Sequence, residues 1–452
     1  MVNFLVLFVL IPGALLCANP VIQNLPANTW YEVPNSKMSA VTPAEGQFAG
    51  TWGIVGPASV IVAWGGGAYD TKRDRLILWG GGHADYYGNE LYAFDVKTLT
   101  WERITDPFVN PVLGQEVNAD GTPNSRHTYG GLAYIEHADR FFGIGGSLAG
   151  SGFDPCWRTW TFNFDTELWT NRSPSTNPVV GYDCYAAYDP ESKKIWWQGG
   201  GSWGGLWDYD YDSNTWAKHN DDNFPSLGNA VDTKRGLLFS IGAGGEATGG
   251  VCVYDIRGGN YTRQVWTTTG GDAFVSKKAV GLAYDPKSDR IVGWHGGGVY
   301  ALNPDTKAWD VYNPSGEPTP PGQGTYGRWR YIPSVNAFIT VTGINDNVHF
   351  YKLTAGATGS EKAVETRRSG TLTAEPNPFR TSTRITFDNG LENGAVFQVY
   401  SLQGALVSCR FVTAAQVSGG LRFEAGHAPA GVYAARLTTG GRSFECKMLL
   451  MK

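Results

Sequence analysis

Short apolar runs that end in glycine recur along the first 350 or so residues: RLILWGGG at 75–82, RFFGIGG at 140–146, IWWQGGG at 195–201, LLFSIGAGG at 237–245, IVGWHGGG at 291–298 and FITVTG at 338–343. Runs this short, rich in β-branched and aromatic residues and closed by turn formers, predict strands rather than helices. In four copies an aromatic residue follows and leads at fixed spacing to a tryptophan: Tyr92 to Trp101, Trp160 to Trp169, Trp207 to Trp216 and Tyr300 to Trp309, with Asp95, Asp165, Asp210 and Asn303 between them. Upstream stand turns of one form, Tyr69-Asp70 before Arg75, Tyr188-Asp189 before Lys194 and Tyr284-Asp285 before Arg290. The chain therefore reads as a repeated unit of four strands, over residues 60–105, 126–172, 181–219, 228–266, 278–312 and 324–353. The first unit's leading strand is expected in ASVIVAWGGGAYD, residues 58–70.

The sixth unit stops before an outer strand, and the missing piece lies at the other end of the chain. Residues 28–33 (NTWYEV) match the outer strand at 99–104 (LTWERI). Repeats of this length predict a ring of sheets, and lending an N-terminal strand to the last sheet closes the ring and removes an exposed edge. The unit resembles a kelch repeat, and residues 28–353 resemble the kelch and galactose-oxidase-like group. The resemblance implies an all-β, six-bladed β-propeller; an irregular seventh blade in residues 36–58 is the alternative.

From Thr371 the pattern changes to period-two alternation over about 80 residues, which predicts a small immunoglobulin-like β-sandwich of about seven strands. This segment resembles the C-terminal sorting domain of the type IX secretion system in Pro376-Asn377-Pro378-Phe379, Val399-Tyr400-Ser401-Leu402-Gln403-Gly404, Ala430-Gly431-Val432-Tyr433 and the terminal block Lys447 to Lys452. The resemblance implies passage across the outer membrane with removal of this domain, the type IX machinery as a partner, and release from or attachment to the cell surface. Residues 1–18 read as a signal peptide, apolar and ending in small residues though lacking a basic start. The expected division is thus 1–18 signal peptide, 19–353 propeller, 354–370 polar linker and 371–452 sorting domain, in a secreted or surface-attached protein. No second apolar stretch approaches a membrane span.

Composition agrees with this and narrows function. The 60 glycines, 17 tryptophans and 22 tyrosines suit many short strands and tight turns. A net charge of −5 with 17% charged residues offers no basic stretch for a phosphate backbone, so nucleic acid is excluded as an expected partner. Export would place the cysteines in an oxidising compartment; Cys156 with Cys184 and Cys409 with Cys446 could pair, leaving Cys252, or all could be buried thiols. No metal-ligand spacing appears, and no cofactor is expected beyond a structural calcium that the central channel could take.

In a four-stranded blade, the loops between second and third strands open on the same face as those leading into first strands, and ligands usually sit there. These loops carry His83, Asp85, Tyr87 and Asn89, then Arg126 and His127, Tyr182, Trp203, His295, Tyr326 and Arg328. His83 and His127 come from consecutive repeats and are the strongest candidates for acid–base work near neutrality. Arg126 and Arg328 offer forks for a carboxylate, and Tyr182, Tyr326 and Trp203 offer stacking faces and phenolic protons. Asp85 with Glu90 reads as a loop scaffold, His295 as structural, and His137 and His219 as solvated.

Histidine, tyrosine and arginine on one face are similar to the propeller polysaccharide lyases acting on ulvan and rhamnose–glucuronate linkages. The resemblance implies β-elimination at a uronic acid of an extracellular acidic polysaccharide, with His127 as base, His83 as acid or carboxylate partner, Arg126 and Arg328 as charge neutralisers, Tyr182 or Tyr326 as proton donor, and Trp203, Tyr87 and Asn89 along the substrate. Those lyases carry paired histidines within one blade, whereas here residues 61–63 hold none and Ser147 and Leu148 follow His127. Two other readings stand beside it. One is a non-catalytic glycan- or protein-binding propeller. The other is a copper-dependent carbohydrate oxidase built on Cys184, Tyr182, Tyr185, His83 and His127.

Overall fold

The computed structural model describes residues 18–150, 156–178, 182–199, 204–222, 227–242, 250–354, 371–388, 395–402, 406–426, 428–439 and 442–451. Residues 19–355 and residues 356–452 form separate compact units. The signal-peptide and linker segments, Trp203 and the Cys409 side chain lie outside the described residues. Among the described residues no helix is long and apolar enough to cross a membrane.

Among the described residues the first unit is a β-propeller whose strands form six antiparallel four-stranded sheets. The first holds Gly67–Asp70, Arg75–Trp79, Leu91–Asp95 and Thr100–Arg103. The second holds Leu132–Ile135, Arg140–Gly143, Trp160–Asn163 and Leu168–Asn171. The third and fourth run from Tyr185–Asp189 to Thr215–Asn220 and from Leu227–Asp232 to Gln264–Trp266. The fifth runs from Gly281–Asp285 to Ala308–Tyr312. The sixth combines Arg330–Ile332, Ala337–Thr340 and His349–Lys352 with the N-terminal strand Thr29–Glu32. Trp30 lies opposite Tyr351 in that pairing. The innermost strands neighbour one another in a closed cycle, the sixth against the first.

Turn chemistry explains the repeat. In four sheets the first-strand tyrosine donates to a side chain five residues later that sits in the left-handed region. Tyr134 bonds Asp139 at 2.8 Å, Tyr284 bonds Asp289 at 2.9 Å and Tyr331 bonds Asn336 at 2.9 Å, with Tyr69 and Asp74 making the same pair. An aspartate at the strand end accepts from the turn's N–H groups, as Asp70 does from Arg73 at 2.9 Å and Asp285 from Lys287 at 2.8 Å. In the outer hairpin of the second sheet the corresponding turn residue is Asn163, not Asp165. Asp165 instead accepts from Arg73 of the first sheet at 3.0 Å, as Asp305 accepts from Arg235 at 2.9 Å between the fourth and fifth.

Two expectations need correction. The apolar run at 58–63 forms a helical turn, Ser59–Val62, with Ser59, Val60 and Ile61 buried, and the strand begins only at Gly67. Residues 36–58 contain a 3-10 turn at Met38–Ala40 and no strand, so they contribute no seventh blade.

The second unit is a sandwich of a three-stranded and a four-stranded sheet. Its core holds Phe379, Ile385, Phe397, Val399, Tyr433, Leu437, Met448 and Leu450. Two of the quoted motifs meet there: Asn377 accepts from the Leu449 N–H at 2.8 Å and donates to the Lys447 carbonyl at 2.6 Å, while Phe379 exchanges backbone bonds with Leu449 and Met451 at 2.9 and 2.8 Å.

Candidate functional site

The second-to-third loop of the first sheet leaves Trp79 through Gly80, Gly81 and Gly82. A Cβ on Gly82 would fall 2.0 Å from the Arg126 Cα, and Gly80 has a φ of +123°. Only glycine lets this loop lie on the backbone of Arg126–His127, the strand that leads towards the second sheet. The segment at 51–56 clamps the loop from the other side, with Ile54 N–H donating to the Ala84 carbonyl at 3.0 Å and Val55 N–H to that of Asp85 at 2.9 Å.

The result is a histidine pair. The His83 and His127 rings stack with centroids 5.5 Å apart and planes 17° from parallel. His127 Nε2 meets Asp85 Oδ2 at 2.8 Å, and Trp64 covers the His127 ring at 4.9 Å. His127 is 3% exposed, whereas the Asp85 side chain retains 25% exposure, so the carboxylate stands on the solvent side of the imidazole. Burial lowers the His127 pKa to about 4; Asp85 opposes that shift and His83 adds to it. The ring is therefore neutral near pH 7. With its Nε2–H donated to Asp85, Nδ1 is left as the proton acceptor.

Asp85 is the residue the sequence reading underrated. It pairs with His127 and not with Glu90, which is buried and accepts from Tyr86 and Tyr92 at 2.7 and 2.6 Å. The available signal was its place two residues after His83 in a glycine-bounded loop.

Beneath the pair, Tyr129, Tyr185, Leu227, Ala279 and Tyr326 pack into an apolar plug. Tyr129 bonds Ser147 Oγ at 3.0 Å and Tyr185 donates to Asp183 at 2.6 Å. Tyr326 is 4% exposed and burial holds its hydroxyl well above the usual phenol range, which removes it as the presented proton donor. Tyr182 is 43% exposed. Tyr87 is half-buried, its N–H bonded to the Thr51 carbonyl.

Both arginine forks are turned inward, contrary to expectation. Arg126 is 1% exposed, bonds the Asn124 carbonyl through Nε and Nη2 at 3.3 Å, and pairs with Glu116 at 3.3 Å. Arg328 is fully buried against the carbonyls of Gly65, Gly324 and Val341, bracing the sixth sheet against the first, and burial lowers its pKa to about 9. Neither presents a fork to a ligand. Asn89 is likewise internal, holding Pro123 and Phe108 at 2.9 and 2.8 Å. His219 is not solvated: it bonds Asp208 at 2.6 Å and lies 3.8 Å from the Tyr261 ring. His295 bonds Thr325 at 2.8 Å, with a pKa lowered to about 4 by burial and by Lys277 and Arg328.

The residues do not fit a copper-radical centre. Cys184 is a buried thiol directed at the Ile144 carbonyl at 3.5 Å, and His127 Nε2 is engaged by Asp85. Among the described residues no group of three or more His, Cys, Asp or Glu side chains is placed to hold a metal ion. Cys156 and Cys184 are buried thiols not joined by a disulfide, and burial pushes each pKa up to about 12.

No protein-family profile and no curated protein matches the chain. Among solved structures it is similar to a fungal alcohol oxidase of the AA5 family in complex with copper, at 12% identity and a TM-score of 0.40 over 89% of this chain and 100% of that one. It is also similar to the extracellular domain of a putative hybrid two-component system from B. thetaiotaomicron, at 12% identity and a TM-score of 0.39 over 85% of this chain and 50% of that one.

Proposed function

We propose that this is an exported propeller acting on an acidic polysaccharide by β-elimination at a uronic acid, with the His83–His127–Asp85 group as its acid–base centre. The observation that carries the reading is the 2.8 Å contact that fixes the His127 tautomer beside a second imidazole. Asp85 orients His127 as the base for the C5 proton, a role that requires substrate binding to uncover a ring that is 3% exposed. The electron pair forms the C4–C5 double bond, the C4–O4 bond breaks, and O4 leaves with a proton from Tyr182 or water. With Arg126 and Arg328 turned inward, His83 is the group proposed to meet the substrate carboxylate. The resemblance of the C-terminal unit to type IX sorting domains supports export to the cell surface and removal of that unit.

The test is incubation with a panel of uronic-acid polysaccharides, following the ultraviolet absorbance of the unsaturated product together with new reducing ends. Absorbance that appears with wild type and is lost in the His83→Ala, His127→Ala double variant supports the proposal. Undiminished activity in that variant refutes the mechanism. Retention on glycans without new absorbance identifies a binding propeller instead.

A further inference from the structure

The second-to-third connection of the second sheet, residues 144–159, leaves the sheet at the end where its first strand begins. Ser147 in this connection pairs with His127, and the neighbouring Gly146 carbonyl accepts from the Cys156 N–H at 3.4 Å. Trp157 and Arg158 follow directly. Counting 3.8 Å per residue and about 5 Å per cross-strand step puts Arg158 within roughly 20 Å of His127.

Charge at this place does not balance. Glu116, its side chain 8% exposed, accepts from the Arg158 N–H at 3.0 Å and from the Trp160 indole at 3.4 Å. It also stands 3.3 Å from Arg126 Nη1 and 3.6 Å from Arg158 Nε, so one carboxylate serves two guanidinium groups. Arg126 is sealed inside, whereas the Arg158 side chain keeps 32% exposure, and the surplus positive charge is offered to solvent there. The Arg158 nitrogen nearest Glu116 is Nε; among the described residues neither Nη1 nor Nη2 has a hydrogen-bond partner. An indole steadies this guanidinium: Arg158 Cζ lies 4.8 Å over the Trp157 ring, and Trp157 is itself 49% exposed. Arg126 and Arg328 direct their forks at backbone carbonyls, and Arg158 does not.

We propose that Trp157 and Arg158 form a binding subsite for the carboxylate of a uronic acid unit that lies away from the unit being cleaved. The Nη1–Nη2 edge is a planar fork that matches two carboxylate oxygens, and the exposed indole is an apolar plate for the adjoining sugar ring. Stacking on Trp157 and the contact with Glu116 restrict the guanidinium before the ligand arrives, so less rotamer freedom is lost on binding. The inference rests on the acidic-polysaccharide reading above. It adds where the polymer runs, and it makes a long chain a better ligand than a short one.

The experiment uses the full chain, with Arg158→Gln, Arg158→Lys and Trp157→Ala compared with wild type after their Tm values are matched. Mobility in native gels containing polygalacturonate, alginate or dextran sulfate reads binding without turnover, and initial rates on the two uronic polymers read KM and kcat. Arg158→Gln should weaken binding of the preferred uronic polymer, or raise its KM, by about tenfold, with a much smaller change in kcat. Trp157→Ala should weaken it about threefold, and Arg158→Lys, which keeps the charge and loses the fork, should fall between wild type and Arg158→Gln. The loss should shrink for oligosaccharides of two or three units, which are too short to reach from the histidines. Polymer binding and KM in Arg158→Gln equal to wild type would overturn the subsite while leaving the histidine chemistry intact. An equal loss on dextran sulfate would overturn the choice of a carboxylate. A folded wild type that neither binds nor cleaves any uronic polymer would overturn the acidic-polysaccharide reading and the subsite with it. If Arg158→Gln does not fold, Trp157→Ala and the length dependence of wild type still decide the matter.

Discussion

The propeller's closure depends on a strand from the far end of the chain, and Trp30 is where that dependence concentrates. It is 7% exposed, with ring centroids 5.0 Å from Tyr351, 5.6 Å from Trp294 and 5.9 Å from Trp329. Its indole N–H has no hydrogen-bond partner, so truncation to alanine removes packing and no polar contact. Burying an indole withdraws on the order of 200 Å² of mostly apolar surface, about 5 kcal/mol at 25 cal/mol per Å², and measured aromatic-to-alanine losses run about 3–5 kcal/mol. Trp30→Ala should therefore destabilise the propeller by about 4 kcal/mol, while Trp30→Phe, keeping most of the apolar volume, should cost about 1–2 kcal/mol. Trp157→Ala, at a residue 49% exposed, is the control and should change stability by under about 0.5 kcal/mol. Urea unfolding, read at the propeller's own transition, measures all three. A Trp30→Ala loss under about 1 kcal/mol, or equal losses in the alanine and phenylalanine variants, would refute the view that this residue locks the ring.

Three other outcomes follow from the geometry. Asp85→Asn keeps the shape of the His127 contact but permits the wrong tautomer, so turnover of a uronic-acid substrate should fall by about 10²- to 10⁴-fold with little change in KM; loss confined to KM would contradict an orienting role. His127 and His295 have folded-state pKa values lowered to about 4 from 6.5. The unfolded chain thus binds more protons between those values, and stability present above about pH 6.5 should be lost as pH falls towards 4, at about 2 kcal/mol per pH unit near pH 5.5, with about half that slope in His295→Gln. Cys156 and Cys184, with pKa values near 12 and no surface, should resist thiol reagents in the native protein and react after denaturation; a disulfide-linked peptide in the digest would contradict this.

The sequence reading succeeded where the physics is local. The tyrosine–aspartate turns, the glycine stops and the tryptophan spacing are short-range features, and the match between residues 28–33 and 99–104 foretold the strand that completes the sixth sheet. It failed where burial decides. The apolar run at 58–63 satisfies a strand pattern and a buried helical turn equally, and here it forms the turn, with Val60 and Ile61 buried. Guanidinium forks suit carboxylates, which is the reason to expect Arg126 and Arg328 at a ligand, but the same forks suit backbone carbonyls where strands converge.

From its sequence alone this chain determined a ring of repeated four-stranded units, a differently patterned sandwich later in the chain, and two loops that bring His83 and His127 close. Those properties follow from periodicity and turn chemistry, which act over a few residues. Only the tertiary structure decided that Asp85 belongs to His127, that two arginines brace the hub instead of facing solvent, and that the Asn229 amide is buried without a hydrogen-bond partner. Each of these depends on which distant backbone arrives alongside, because contact and desolvation are properties of neighbours separated by as many as 263 positions along the chain.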